Sequence, residues 1–485
     1  MSPSRPGQPR ATARGSTLVI VLWIAFGLVS ITLYFAQAMN LELRASDNRV
    51  CGLAAEQAID GAARYLSCVL ANLPTNGLMP DPTTYASYAV PVGDAHFWLI
   101  GRDTNYSVGP TQLAFGLVDE ASKLNLNTAT SNMLVCLPRI TLDLTQAILE
   151  WRDTNGGTFS QSYYAMQQPP YQCKYAPFET VDELRLLYGA DMDTLVGEDA
   201  NRNGVLDPNE NDENHNGVLD PGILECVTVY SREPMTNVDG TVRLDIHTVS
   251  STSSEPLRSL LATNLDDGSA EQILQNLGLG ASASPAQAAA ANNASRTTPS
   301  RTTPSRTTPA AAAAATPVTF LSPLDFYLKS KMTADQFGAI ANKITVTNGA
   351  YLEGRVNINT ASAEVLGCLP GISDTPDLAT TLVTYRESNP DKLTSIAWIV
   401  DALGADNTTT LAALRTNDCL TTLSYQFTAD VAAVGAYGRG YRRVRFVFDT
   451  CDGTPKIIYR QDLTHLGWAL GPDVRQTWLA AKDTR

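Results

Sequence analysis

Gly15-Ser16-Thr17-Leu18-Val19-Ile20-Val21-Leu22-Trp23-Ile24-Ala25-Phe26-Gly27-Leu28-Val29-Ser30-Ile31-Thr32-Leu33-Tyr34-Phe35-Ala36-Gln37-Ala38 carries no charge from Ser16 onward. Those 23 residues exceed the roughly 20 that a helix needs to span a bilayer. Arg5, Arg10 and Arg14 precede the run with no acid among them, and basic residues before a span predict that this end stays in the cytoplasm. Everything after Asn40 then lies on the far side of the membrane.

The apolar run does not end in a loop. Val50, Ala54, Ala58, Ala62, Tyr65 and Val69 follow at spacings of three or four, with Glu42, Arg44, Asp47, Arg49, Glu56 and Arg64 between them, the signature of one apolar helical face. The pattern stops at Asn72-Leu73-Pro74. One helix over 16–73 is predicted, half in lipid and half amphipathic. A secretory signal is the competing reading, because Ala36-Gln37-Ala38 has the small-x-small form of a cleavage site; the mature chain would then start at Met39.

The chain has 485 residues, too many for one core, and a formal net charge of −14. That charge repels nucleic acid and anionic lipid. Eight cysteines, at 51, 68, 136, 173, 226, 368, 419 and 451, show no C-x-x-C spacing. Beyond a membrane they read as disulfide material of open connectivity, with Cys368 and Cys419 expected close together.

His96 to Ile100 and Gln112 to Val118 read as strands, as do Tyr441 to Asp449 and Lys456 to Gln461, the last two joined as a hairpin at Cys451-Asp452-Gly453. From Ala281 to Pro317 the sequence is of low complexity, with Ser-Arg-Thr-Thr-Pro repeated three times from Ser295. Such a stretch builds no core and reads as a linker.

An internal duplication stands between the ends. Lys123-Leu-Asn-Leu-Asn-Thr-Ala129 with Leu134-Val-Cys136-Leu-Pro138 returns as Arg355-Val-Asn-Ile-Asn-Thr-Ala361 with Leu366-Gly-Cys368-Leu-Pro370. Each copy is followed by an apolar helical pattern that ends in Ile148-Leu-Glu-Trp-Arg152 or Leu382-Val-Thr-Tyr-Arg386. Helix, tight turn and second helix is the expectation for both. The second copy is similar to the helix-hairpin-helix unit that grips DNA phosphates in many proteins. Its surroundings from Lys343 to Lys392, however, hold four basic residues against six acidic ones, the wrong sign for phosphate.

Two 13-residue units stand end to end, Asp199-Ala-Asn-Arg-Asn-Gly-Val-Leu-Asp-Pro-Asn-Glu-Asn and Asp212-Glu-Asn-His-Asn-Gly-Val-Leu-Asp-Pro-Gly-Ile-Leu. In the first, Asp199, Asn201, Asn203, Val205 through its carbonyl, Asp207 and Glu210 fill every position of a calcium loop, with glycine at the sixth for the sharp turn. In the second, Asp212, Asn214, Asn216, Val218 and Asp220 repeat the pattern, but Ile223 stands at position twelve. Glu225 is the expected substitute, unless the site shares ligands with its neighbour. Structural calcium is therefore predicted; the competing reading is a solvated turn repeat.

No enzyme is expected. The chain lacks His-Glu-x-x-His, a phosphate loop ending in Gly-Lys, and Gly-x-Ser-x-Gly. Its four histidines, at 96, 215, 247 and 465, lie far apart. Gly435-Ala-Tyr-Gly438-Arg-Gly440 reads as a turn before a strand.

The basic leader ending at Gly15, followed by Ser16-Thr-Leu-Val-Ile20 and the long helix, resembles the type IV pilin and pseudopilin signal. That resemblance implies cleavage by prepilin peptidase between Gly15 and Ser16 and methylation of the new terminus. Most pilins carry glutamate at the fifth mature position, where this chain has Ile20; K-type pseudopilins lack it. Asp119-Glu-Ala-Ser-Lys-Leu-Asn-Leu-Asn127, Ile148-Leu-Glu-Trp-Arg-Asp153, Tyr163-Tyr164, Pro170-Tyr171 and Glu183-Leu-Arg-Leu-Leu-Tyr-Gly189 are similar to the blocks of general secretion pathway K proteins, in the same order.

The resemblance implies an α+β fold, with a large, mainly helical domain inserted into a small pilin-like α/β domain. It divides the chain into a leader (1–15), the N-terminal helix (16–73), the first part of the α/β domain (74–118), a helical domain in two parts (119–280 and 318–423) around the linker (281–317), and terminal strands (424–485). It further implies a minor pseudopilin of type II secretion, in the inner membrane with its main domain in the periplasm, starting and capping the pseudopilus with I- and J-type partners. K-type pseudopilins bind calcium in their helical domain. Thr154-Asn-Gly-Gly-Thr-Phe stands where many of them are acidic, so the family's own ligands are not carried over. A pilin-like DNA-uptake protein that uses the hairpin units is the alternative function; a free periplasmic calcium-binding protein is a third.

Overall fold

The computed structural model describes residues 16–104, 112–237, 240–280, 317–375, 377–404 and 406–483. Gly15 and nearly all of the low-complexity stretch lie outside them.

Helix α1 (Ser16–Ala71) runs unbroken for 56 residues, roughly 84 Å at 1.5 Å per residue. Its first half packs on nothing among the described residues: Leu18, Trp23, Phe26, Phe35 and Met39 are all exposed. Its second half is built for contact. Ala55, Ala58, Ile59, Ala62 and Leu66 are buried, and the alanines let the helix lie close on the sheet beneath.

That sheet is antiparallel. Its strands β1 (Val90–Val92), β2 (Ala95–Ile100), β4 (Gln426–Val434), β5 (Arg442–Asp449) and β6 (Lys456–Asp462) are neighbours in that order, and β3 (Val118–Asp119) pairs with β4 beyond the end of β2. Alternation sorts the side chains. Phe97, Leu99, Phe427, Ala429, Val431 and Ala433 face α1, whereas Trp98, Ile100, Ala432 and Val434 pack on Leu470 and Val474 at the C-terminal helix α6 (Gly471–Asp483).

One expectation is corrected. The strand expected over 112–118 is reduced to β3 and a single bridge from Phe115 to Ile100. A side chain on Gly101 would come within 2.9 Å of the Gly116 nitrogen, and this close crossing distorts the ladder. The central strand β4 was not anticipated, nor was α6.

The remaining polar residues of β4 face the helical domain. Gln426 accepts from the Arg232 N–H at 2.9 Å, and Thr428 donates to Glu120 at 2.6 Å. Asp119 of β3 is buried and takes hydrogen bonds from Asn357, Thr360 and Ser424 at 2.9, 2.6 and 2.5 Å. Burial nevertheless pushes its carboxyl up to about 6, against the pull of those donors.

The helical domain shares one core across the low-complexity stretch, with Leu134, Ile148, Trp151 and Leu184 from before it and Phe320, Phe337, Leu366, Leu382 and Trp398 from after it. Both copies of the duplication are a short helix, a turn and a second helix: α2 (Ser131–Leu134) with α3 (Leu142–Arg152), and α4 (Ala363–Gly367) with α5 (Asp377–Ser388). Each opens on a short parallel pair, Leu124–Asn125 with Val227–Thr228 and Val356–Asn357 with Leu420–Thr421. Arg152 donates to the carbonyls of Leu126 and Ala129; Arg386 does the same to Ile358 and Ala361. The matching asparagines also work alike, since the N–H groups of Asn127 and Asn359 donate to the side chains of Asn125 and Asn357. The architecture is α+β.

Candidate functional site

The tandem loops have one backbone, drawn twice. Position four is left-handed in both (Arg202 φ 58°, His215 φ 57°), as is the glycine at position six (Gly204 φ 85°, Gly217 φ 72°). The Asp199 carboxylate accepts from the N–H groups of Asn203 and Gly204 at 2.9 and 2.7 Å, and Asp212 accepts from Asn216 and Gly217 at 3.2 and 2.9 Å. Asn201 donates its side-chain amide across the first loop to Asp207 at 2.6 Å; Asn214 does likewise to Asp220. The side-chain oxygens of Asn203 and Asn216 cap the N–H of Val205 and Val218.

The carboxylate at position twelve is where the loops part. Glu210 accepts from Asn201 N and Asp207 N at 3.1 and 2.9 Å, closing the first loop. The corresponding place beside the second loop belongs to Glu198, which accepts from Glu213 N and Asp220 N at 2.7 and 3.0 Å. Glu198 precedes the repeat and its side chain is fully buried. Glu225 instead forms an ion pair with Arg102, away from Asp220. Burial raises the Glu225 carboxyl, but the Arg102 charge outweighs it and the group ends below its ordinary value.

Do these residues fit a hard dication? No three of His, Cys, Asp and Glu converge as a metal cluster among the described residues. The donor set, though, is of the kind that calcium takes, oxygen throughout and partly amide and carbonyl. Asn201 is 6% exposed, and its side-chain oxygen has no partner, an arrangement that costs about 1–3 kcal/mol unless something fills it. Its amide nitrogen is held on Asp207, and a turn of the amide would present the oxygen to the loop instead. Burial, then the charges of Asp199 and Asp207, raise the Glu210 carboxyl above its ordinary value. A cation would relieve both defects. Asp199, Asn201, Asn203, the Val205 carbonyl, Asp207 and Glu210 are the residues that would hold it.

Among the described residues, the arginines that end the duplicated units face their own backbone. Arg152 and Arg386 spend their guanidinium groups on carbonyls of their own units, and Arg386 also on the Thr104 carbonyl at 2.7 Å. All eight cysteines are free thiols, six of them buried. The glycines around residue 438 form a turn that enters β5. His215 is exposed on the second loop.

Residues 135–196, from the turn after α2 to the segment just before the tandem loops, match the family model for type II secretion system (T2SS), protein K. No curated protein matches the chain. Among solved structures it is similar to a chain of the GspK-GspI-GspJ complex from the type 2 secretion system of enterotoxigenic Escherichia coli, at 10% identity and a TM-score of 0.38, covering 87% of this chain and 99% of that one. The segment that matches the protein K model lies in an α+β fold behind one long N-terminal helix.

Proposed function

We propose that this chain is a minor pseudopilin that starts and caps the periplasmic pseudopilus together with I- and J-type pseudopilins, as a structural component and not as an enzyme. The observation that carries the reading is the split character of α1. Its apolar first half has no partner among the described residues, while its second half is fixed to the sheet. A helix of that kind is anchored in a bilayer and left free to pack on neighbouring helices. Ile20 in place of a fifth-position glutamate suits a tip subunit, which has no terminal amine above it to neutralise a carboxylate in lipid. The large helical domain would obstruct a further subunit. Prepilin peptidase cleavage after Gly15 and placement of the head in the periplasm belong to the same proposal. Co-expression of the full chain with the neighbouring I- and J-type candidates tests it. Recovery of all three in one detergent-solubilised complex is expected, and recovery of this chain always alone would count against the reading.

We further propose that the first loop binds calcium as a structural ion. Millimolar calcium should raise the melting temperature of the full chain by several degrees, since occupancy at about 100 times Kd contributes roughly 2.7 kcal/mol. Asp199→Ala should abolish the rise. Identical melting curves in calcium and in chelator would exclude the site.

The DNA-uptake reading gains no support, because the arginines that follow the two hairpins are turned inward.

A further inference from the structure

The two loops share sequence and backbone but not surroundings. Asp199, Asn201, Arg202, Asn203, Val205 and Asp207 are buried, whereas Asn214, His215, Asn216, Gly217 and Val218 are exposed. The difference lies in what grips the first loop from outside. Arg443 of β5, fully buried, donates to the carbonyls of Asn201 and of Arg202, the second at 2.7 Å. Arg102, just past the end of β2, donates to the carbonyls of Arg202 and Asn203 at 3.0 and 3.2 Å. Asn203 in turn donates to the Ala469 carbonyl at 3.2 Å, ahead of α6. Three successive carbonyls of the loop are thus held by two cations rooted in the sheet, and none of the three is the Val205 carbonyl assigned to the ion. A side chain on Gly204 would meet the Arg102 Cδ at 2.6 Å, so the glycine at position six serves the arginine as well as the turn.

We propose that the first loop, filled by calcium, is the joint that fastens the inserted helical domain to the sheet: the ion fixes the loop from within, and Arg102 and Arg443 hold its outer surface. The inference rests on the calcium reading above. The three acidic groups of the loop repel one another when no cation lies among them, and the carbonyls at 201–203 keep their aim at the arginines only while the loop keeps its shape. Calcium therefore couples to domain docking through the first loop, while the hydrogen bonds of the two arginines to loop carbonyls go to the first loop among the described residues. Such coupling is an equilibrium effect, equal in both directions.

The test uses the full chain in detergent micelles, with calcium ion as the probe. Bound calcium is measured by equilibrium dialysis, and hydrogen exchange is followed in 442–449 and 466–474, segments that hold no proposed ligand. Calcium should slow exchange there by about tenfold. In Arg102→Gln, chosen because the residue is less central to the fold than Arg443, calcium should still bind while the slowing in 466–474 is largely lost. Bound calcium with unchanged exchange in both segments would overturn the joint and leave the calcium site standing. No bound calcium in a folded chain would overturn both.

Discussion

Asp430→Ala should lower the unfolding free energy of the chain by about 3–5 kcal/mol, the cost of leaving a buried charge without its partner. Asp430 and Arg443 have side chains 1% and 0% exposed, and they meet through two bonds of 2.8 Å, with Arg445 adding a third at 3.0 Å. Removing the carboxylate leaves the Arg443 charge with only the loop carbonyls to satisfy it. Asp430→Asn, which keeps the shape and loses the charge, should be nearly as harmful; a loss below about 1 kcal/mol in either variant would contradict the account. The pH dependence follows from the sign of the shift. Burial opposes ionisation of Asp430, but Arg443 and Arg445 prevail and hold its carboxyl far below 3.8. The stabilisation is complete above the unfolded value and disappears as pH falls below it. Asp119 slopes the other way: its raised value of about 6 means that its contribution declines as pH climbs from 3.8 to about 6. Chemical denaturation of each variant across pH 2–7 separates the two.

Gly440→Val should lift α1 from the sheet at the point where the apolar half of the helix meets the head. A Cβ on Gly440 would lie 2.3 Å from the Cys51 carbonyl carbon and 2.4 Å from the Gly52 nitrogen, and one on Gly435 would lie 2.4 Å from the Cys51 oxygen. These are backbone atoms of a helix and cannot step aside as a side chain can. Gly440 also has φ +69°, which a β-branched residue resists. A loss of about 2–4 kcal/mol is expected from overpacking and backbone strain together. Gly453→Ala is the control, with φ +80° but open space around the added methyl, and it should cost only about 1 kcal/mol. Protease sensitivity around residues 44–60, raised in Gly440→Val and unchanged in the control, would locate the defect; equal melting of both variants would refute the crossing.

The same glycines show what a sequence conceals. Gly435 to Gly440 reads as a turn, which it is, but the need for glycine there is set by Cys51 and Gly52, hundreds of residues earlier in the chain. Helix α1 was legible because its uncharged run and its three-four spacing do not depend on distant contacts. The β5–β6 hairpin was legible for a similar local reason. Strand β4 was not. Thr428-Ala-Asp-Val-Ala-Ala-Val434 has little β-favouring character, and its polar residues turn inward because the helical domain covers that face. The duplication could be read residue by residue, since Arg152 and Arg386 each close on carbonyls of their own copy, although Asn357 and Arg386 also bond outside theirs. The tandem loops were legible in pattern, and so was Glu210, which closes the first, but the partner that closes the second was not. Glu198 stands immediately before the repeat, and only folding brings it beside Asp220; Glu225, nearer in sequence, is drawn away by Arg102.

The central claim is that the long helix stays with the mature protein. Intact mass and N-terminal sequencing of chain recovered from cells, with membrane and soluble fractions analysed separately, test it most directly. Membrane-bound protein beginning at Ser16 is the expected result. Soluble protein beginning at Met39 would contradict it.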